Sequence, residues 1–163
     1  MKPTLVKTCL YGPSTENDYE VQIDFNPRSN PYLCPEYCLV YEDDKYLIGL
    51  KPLFGSDGFS IPRVVWTLTG LTPFGLRTAF AGFIHDGIYR SHLLPRYEAD
   101  NILLNILCIE PRPNWCQREI AYRTLRAIGF VAYNSKTIDE MDKARQFVTV
   151  MEKRKLNMNG VLI

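Results

Sequence analysis

The stretch 83-FIHDGIYRSHLLPRYEADN-101 gathers both histidines of the chain, with Asp86, Tyr89 and Asp100, into an apolar background. A histidine titrates near neutrality and can take a proton from water. It needs one ring nitrogen free and the other held, and a carboxylate opposite both holds it and stabilises the imidazolium that forms. His85 is the candidate base, Asp100 the orienting carboxylate, and Tyr89 a hydrogen-bond support for Asp100. Asp86 offers oxygen to a hard cation such as calcium, which would polarise an ester or phosphate oxygen. The same groups also admit a non-catalytic reading. His85 and Asp86 can cap, pair with Arg90 or Arg96, or sit in a satisfied polar core, because each buried polar group left unpaired costs a few kcal/mol.

The elements that must position these groups are two helices. Residues 76-LRTAFAGFIHDGIYRSHLL-94 carry apolar side chains at helical spacing, and Pro95 stops that helix or lies just beyond it. Residues 97–109 form a second helix. The short connection through Pro95 makes the two antiparallel neighbours, so that Asp100 can face His85. On one helix His85 and Asp86 point about 100° apart and flank a cleft, whereas Tyr89, four residues on, shares the face of His85. His92 returns to that stripe two turns later, but about 10 Å along the axis. That is too far for His85 and His92 to ligate one ion with a carboxylate, unless the helix breaks near Ser91.

Residues 115–133 predict a third helix, with Gly129 as a kink or late cap. Residues 138–156 predict a fourth, more polar and peripheral, with Thr137 or Ser135 as N-cap. The N-terminal third reads as β structure. Residues 19–26 alternate apolar and polar, and 38-CLVYEDDKYLIGL-50 reads as two strands around Asp43-Asp44. Segment 27–35 holds three prolines and is irregular. Strands followed by helices predict an α+β fold, antiparallel β hairpins or a small sheet packed on a bundle of about four helices. The expected organisation is a single domain over 1–163, β-rich over 1–54, helical over 60–157, with a short tail over 158–163.

Composition narrows the class. The chain has 163 residues, 46% hydrophobic and 23% charged, with 19 basic and 18 acidic residues. That is ordinary globular material, long enough for one buried core. A net charge of +1 gives no electrostatic reason to expect nucleic acid. Neither a secretory signal nor an apolar run long enough to span a membrane is visible, so a soluble, unexported protein is expected. The cysteines number five, with no C-x-x-C pair, and reduced thiols are the simpler reading.

Two resemblances bear on function. The motif H-D-x-x-Y followed by A-D on the next helix is similar to the phospholipase A-two superfamily, with the parvoviral capsid version nearest in style. This resemblance implies His85 as the base that activates water, Asp86 as a calcium ligand, Tyr89 as the support, and Asp100 as the aspartate paired with the histidine. The Gly-rich calcium loop of that superfamily has no copy here; 70-GLTPFG-75 stands in its place without the pattern. The second resemblance covers more of the chain. In order, 55-GSDGFSIPR-63, 84-IHDGIY-89, 96-RYEAD-100 and 118-REIAYRTLRAIG-129 resemble the domain of unknown function 1353 family of bacteriophages and prophages. It implies a phage-encoded protein of the host cytoplasm or the virion, for instance of the tail, and supplies no activity.

The remaining motifs fill out the expectation. Asp57-Gly58 makes a tight turn, Ser60 caps a short helix begun by Pro62, and Arg63 is a fixed cation. Asp57, Arg63 and Arg96 are the candidate substrate clamps, or else parts of a structural turn and salt bridges. Arg118, Tyr122 and Arg126 recur on one helical stripe, lining the cleft or forming an ion-paired face. Trp66 and Trp115 read as core. The function expected is therefore hydrolysis of a lipid or other ester at His85. The alternative is a phage structural or assembly protein, in which the polar cluster fixes the helix pair and the apolar tail 157-NMNGVLI-163 docks another virion protein.

Overall fold

The computed structural model describes residues 4–7, 9–13, 19–23, 39–51, 54–56, 62, 65, 67, 69–71, 76–109 and 113–153. Among them run strands β1 (Thr4–Lys7), β2 (Cys9–Pro13), β3 (Tyr19–Ile23), β4 (Leu39–Glu42), β5 (Tyr46–Leu50), β6 (Gly55–Ser56) and β7 (Val148–Glu152). The long helices are α1 (Leu76–Ser91), α2 (Arg96–Leu107), α3 (Trp115–Asn134) and α4 (Ile138–Arg145). The fold is α+β. One antiparallel sheet has the order β1-β4-β5-β7, and a second, smaller one has the order β2-β3-β6.

The hairpin at Asp43-Asp44 forms because Asp43 locks its own turn. Its carboxylate accepts the backbone N–H groups of Lys45 (2.8 Å) and Tyr46 (2.6 Å) and the hydroxyl of Tyr41 (2.7 Å). The turn sets the register Leu39↔Leu50 and Tyr41↔Ile48. Side chains two apart share a face, so these four residues stand together, all fully buried. Each contributes about 1.5–3 kcal/mol through burial.

α1 is the central element. From Thr78 to Tyr89 every residue is buried, as expected of a helix covered on all sides. Gly87 is why it can lie so close to the sheet. A Cβ there would stand 2.8 Å from Leu50 Cδ2 and 3.3 Å from Val148 Cγ2. One buried cluster therefore runs from Leu39 of β4 through α1, α2 and α3 to Val148 of β7.

The helix ends follow their local chemistry. α1 stops at Ser91, and His92 takes a left-handed backbone (φ 52°) while its N–H bonds the Ile88 carbonyl at 2.9 Å. That single bond satisfies an orphan carbonyl of the last turn. Asn114 and Gln117 form a capping box on α3, and Thr137 and Glu140 form one on α4. Thr137 is thus the N-cap of α4, while Ser135 closes α3.

Three expectations need correction. The fourth helix does not run to residue 156. It ends at Arg145, and Val148–Glu152 pairs antiparallel with β5, Leu50↔Val148 and Ile48↔Val150. The β-branched run Val148-Thr149-Val150 fits a pleated surface, and it covers the edge of β5 that would otherwise stand unpaired. Gly129 is not a cap, because α3 continues through it to Asn134. Trp115 is not core: it begins α3 and is 67% exposed. Trp66 and the tail 157–163 lie outside the described residues. No described helix is long and apolar enough to cross a membrane.

Candidate functional site

α1 and α2 pack as an antiparallel pair joined through Pro95, the residue that precedes the first turn of α2. α2 begins immediately after it, so Asp100 comes up one turn into the helix, opposite the middle of α1. His85 Nε2 lies 3.0 Å from Asp100 Oδ1, and Tyr89 donates its hydroxyl to that same oxygen at 2.5 Å. The three residues singled out as base, orienter and support are therefore in direct contact. Tyr89 lies one turn after His85 on α1, and their rings stack obliquely at 3.9 Å.

Asp100 is fully buried, and α3 supplies its counter-charge. Arg126 Nη1 donates to Asp100 Oδ2 at 2.6 Å. The Arg126 carbonyl in turn accepts both terminal nitrogens of Arg96 at 3.1 Å. Arg96 thus ties α2 to α3 beside the carboxylate. Tyr122 reaches Asn101 (2.9 Å) and Arg118 reaches the Cys108 sulfur (2.9 Å), so the Arg118, Tyr122, Arg126 stripe is the face that α3 turns to α2. That stripe was the signal available in the sequence, but its spacing alone does not say which of the three meets Asp100.

Asp86 faces the other side of His85. Its Oδ1 is 3.9 Å from His85 Nδ1, and its Oδ2 accepts the Ser56 hydroxyl at 2.6 Å and lies 3.8 Å from Arg90 Nη2. Ser56 comes from β6 and carries no sequence signal for this role. His85 and Asp86 are both buried. Asp57 and Arg63 lie outside the described residues. His92 does not converge with His85: its ring stacks on Tyr133 at 4.0 Å and its Nε2 meets the Tyr133 carbonyl at 2.9 Å.

The electrostatics follow from the contacts. Burial disfavours the His85 imidazolium, but the hydrogen bond to Asp100 and the nearby negative charge of Asp86 outweigh it and raise the imidazole above its ordinary value. Burial likewise opposes the charge on Asp100, yet bonds from His85, Tyr89 and Arg126 hold it below the usual carboxylate range. Asp86 is also lowered, with burial overcome by His85, Arg90 and Ser56. An ionised Asp100 only accepts, so the proton on neutral His85 sits at Nε2. The lone pair is then on Nδ1, on the Asp86 side.

A calcium ion takes six to eight oxygen ligands. The described residues instead give Asp86 a hydroxyl donor and a guanidinium, and among them no group of three His, Cys, Asp or Glu converges to hold a metal. They do not fit calcium at Asp86. What they do build is a histidine with one nitrogen fixed by a buried, charge-balanced carboxylate and the other left to accept a proton.

A family model described as "Protein of unknown function (DUF1353)" matches residues 36–125. That span holds His85, Asp86, Tyr89 and Asp100 and stops one residue short of Arg126. No curated protein and no solved structure matches the chain.

Proposed function

The chain belongs to the DUF1353 family of proteins of unknown function, and from that premise we propose that it is a hydrolase in which His85 activates water against an ester. The observation that supports this is the division of labour on the imidazole ring: Nε2 on Asp100 at 3.0 Å, Nδ1 without a hydrogen-bond-length contact to Asp86 at 3.9 Å. In the reaction Nδ1 takes a proton from water as its oxygen attacks the ester carbonyl. The tetrahedral intermediate collapses when the C–O bond to the alcohol breaks, and His85 returns the proton to the departing alkoxide. Asp100 stabilises the transient imidazolium. Arg126 and Tyr89 keep Asp100 ionised and fixed.

The test is hydrolysis of soluble nitrophenyl esters and of phospholipid vesicles by wild type, His85→Ala and His85→Gln. Removal of a positioned general base lowers the rate by about 10²–10⁴-fold. A wild type that cleaves none of these esters, or a His85→Ala variant that cleaves at the wild-type rate, overturns the reading.

A second reading has its own support. Asp100 is fully buried and takes three donors, as a structural network requires. In that case the cluster fixes the helix pair of a phage structural or assembly protein, and the His85 variants lose melting temperature with no activity at stake. The phage setting rests on the family resemblance, and we propose association with the virion on that basis. Finding the protein in purified particles by mass spectrometry supports it, and finding it only in the host lysate removes it.

A further inference from the structure

A second concave site lies one helical turn beyond Asp86. Phe54, Arg90, Lys136, Glu140, Lys143 and Phe147 line most of a cavity of about 420 Å³. Arg90 comes from the last turn of α1. Lys136, Glu140 and Lys143 lie along one face of α4 and the residue before its cap. Phe147 follows that helix, and Phe54 precedes β6.

The lining combines charged and aromatic side chains. Three cations face one carboxylate, a net charge of +2. The carboxylate is committed elsewhere, since Glu140 Oε2 accepts the Thr137 backbone N–H at 2.8 Å and its hydroxyl at 3.0 Å as part of the α4 cap. The Phe54 and Phe147 rings lie 6.5 Å apart at 55°, and the Arg90 guanidinium stands 5.8 Å from the Phe54 ring centre. The Arg90 side chain is held over an aromatic face, an arrangement that orients its planar fork.

We propose that this cavity binds a phosphate monoester that carries an apolar or aromatic group. A monoester phosphate bears close to two negative charges at neutral pH, opposite in sign to the lining, which stays net positive even when the Asp86 paired with Arg90 is counted. A guanidinium takes phosphate oxygens two at a time, and the two lysines add point charges. The phenylalanine pair takes the organic part. The volume lies within the range of small-molecule sites, about 300–1,000 Å³. Arg90 also stands 3.8 Å from Asp86, so one side chain borders both the cavity and the histidine site. The binding does not depend on hydrolysis at His85.

Calorimetric titration of the full chain with phenyl phosphate, inorganic phosphate and phenol tests this. Phenyl phosphate is expected to bind at least about tenfold more tightly than either of the others, because only it uses both the charged and the aromatic side chains of the lining. The double variant Lys136→Met/Lys143→Met is expected to lose about tenfold in affinity for phenyl phosphate while its melting temperature stays at the wild-type value. Co-sedimentation with phosphatidylcholine vesicles, with and without phosphatidic acid, separates the sources. Phosphatidate-dependent capture means a lipid headgroup, and phenyl phosphate binding without capture means a free monoester. Absence of phenyl phosphate binding, or binding that the double variant leaves unchanged, overturns the proposal.

Discussion

Gly129 of α3 lies against the hydroxyl of Tyr89 on α1: a Cβ at position 129 would stand 2.7 Å from Tyr89 Oη. The Tyr89 hydroxyl is thereby held between two elements. It donates to Asp100 on one side and fills the space of a missing side chain on the other. This contact connects the glycine of one helix to the carboxylate that orients His85.

Gly129→Ala is therefore expected to destabilise the protein by about 1–3 kcal/mol through overpacking, despite the better helix propensity of alanine. Tyr89→Phe alone loses a hydrogen bond to a charged group, about 1.5–3 kcal/mol. The double variant is expected to be more stable than the sum of the two losses, because without the oxygen the nearest ring carbons lie at 3.5 and 3.6 Å from the new Cβ. Urea denaturation of the four proteins gives the coupling directly; additive losses would show that the two residues do not press on each other.

Asp100 and Arg126 should not be equivalent, although they form one ion pair. Asp100→Asn is expected to cost about 3 kcal/mol, since it removes a fully buried charge that takes three donors. Asp100→Asn leaves behind a guanidinium that is 36% exposed and can be solvated. Arg126→Met instead leaves the fully buried Asp100 carboxylate without its counter-charge and is expected to cost more, about 3–5 kcal/mol. A loss under about 1 kcal/mol in chemical denaturation would mean that Asp100 does not need the guanidinium to stay buried and charged.

The pH dependence of stability follows from the directions of the shifts. His85 is raised in the folded state, so its contribution is fully present below its unfolded value of 6.5 and is lost as pH climbs through the higher folded value. Asp86 and Asp100 are lowered, so theirs are present above 3.8 and are lost as pH falls through their folded values. The melting temperature should fall from pH 6.5 upward over the His85 transition, and His85→Gln should abolish that slope. A slope that survives in the variant would assign it to another group.

Calcium should leave the melting temperature unchanged, because Ser56 and Arg90 occupy the surroundings of Asp86. A saturable rise that Asp86→Asn removes would show ligand linkage at that carboxylate, with its remaining oxygens supplied from outside the described residues.

Gly87 offers a check on the fold beneath the site. Gly87→Ala drives a methyl group to 2.8 Å from the fully buried Leu50. It is expected to lose about 1–3 kcal/mol in urea denaturation. No loss would mean that α1 can lift from β5 and β7 at no cost.

The part of this protein that the sequence by itself determined is the part set by local periods. A spacing of four residues on a helix aligns Tyr89 with His85, and a connection of a few residues through Pro95 brings Asp100 opposite them. The aspartate at position 43 announces its own turn, and Thr137 with Glu140 announces its own cap. The tertiary structure alone decided which distant groups complete these sets. Arg126, 26 residues beyond Asp100, neutralises it; Ser56, 30 residues before Asp86, donates to it. Val148–Glu152 becomes a strand only because β5 offers it an edge, while its neighbouring charges at helical spacing suggest a helix. Gly129 reads as a kink or cap and Gly87 carries no signal at all, yet both act as contact points, since what they admit is a side chain from another element. Such partners depend on how helices cross and which sheet edge is open, and no local spacing encodes either.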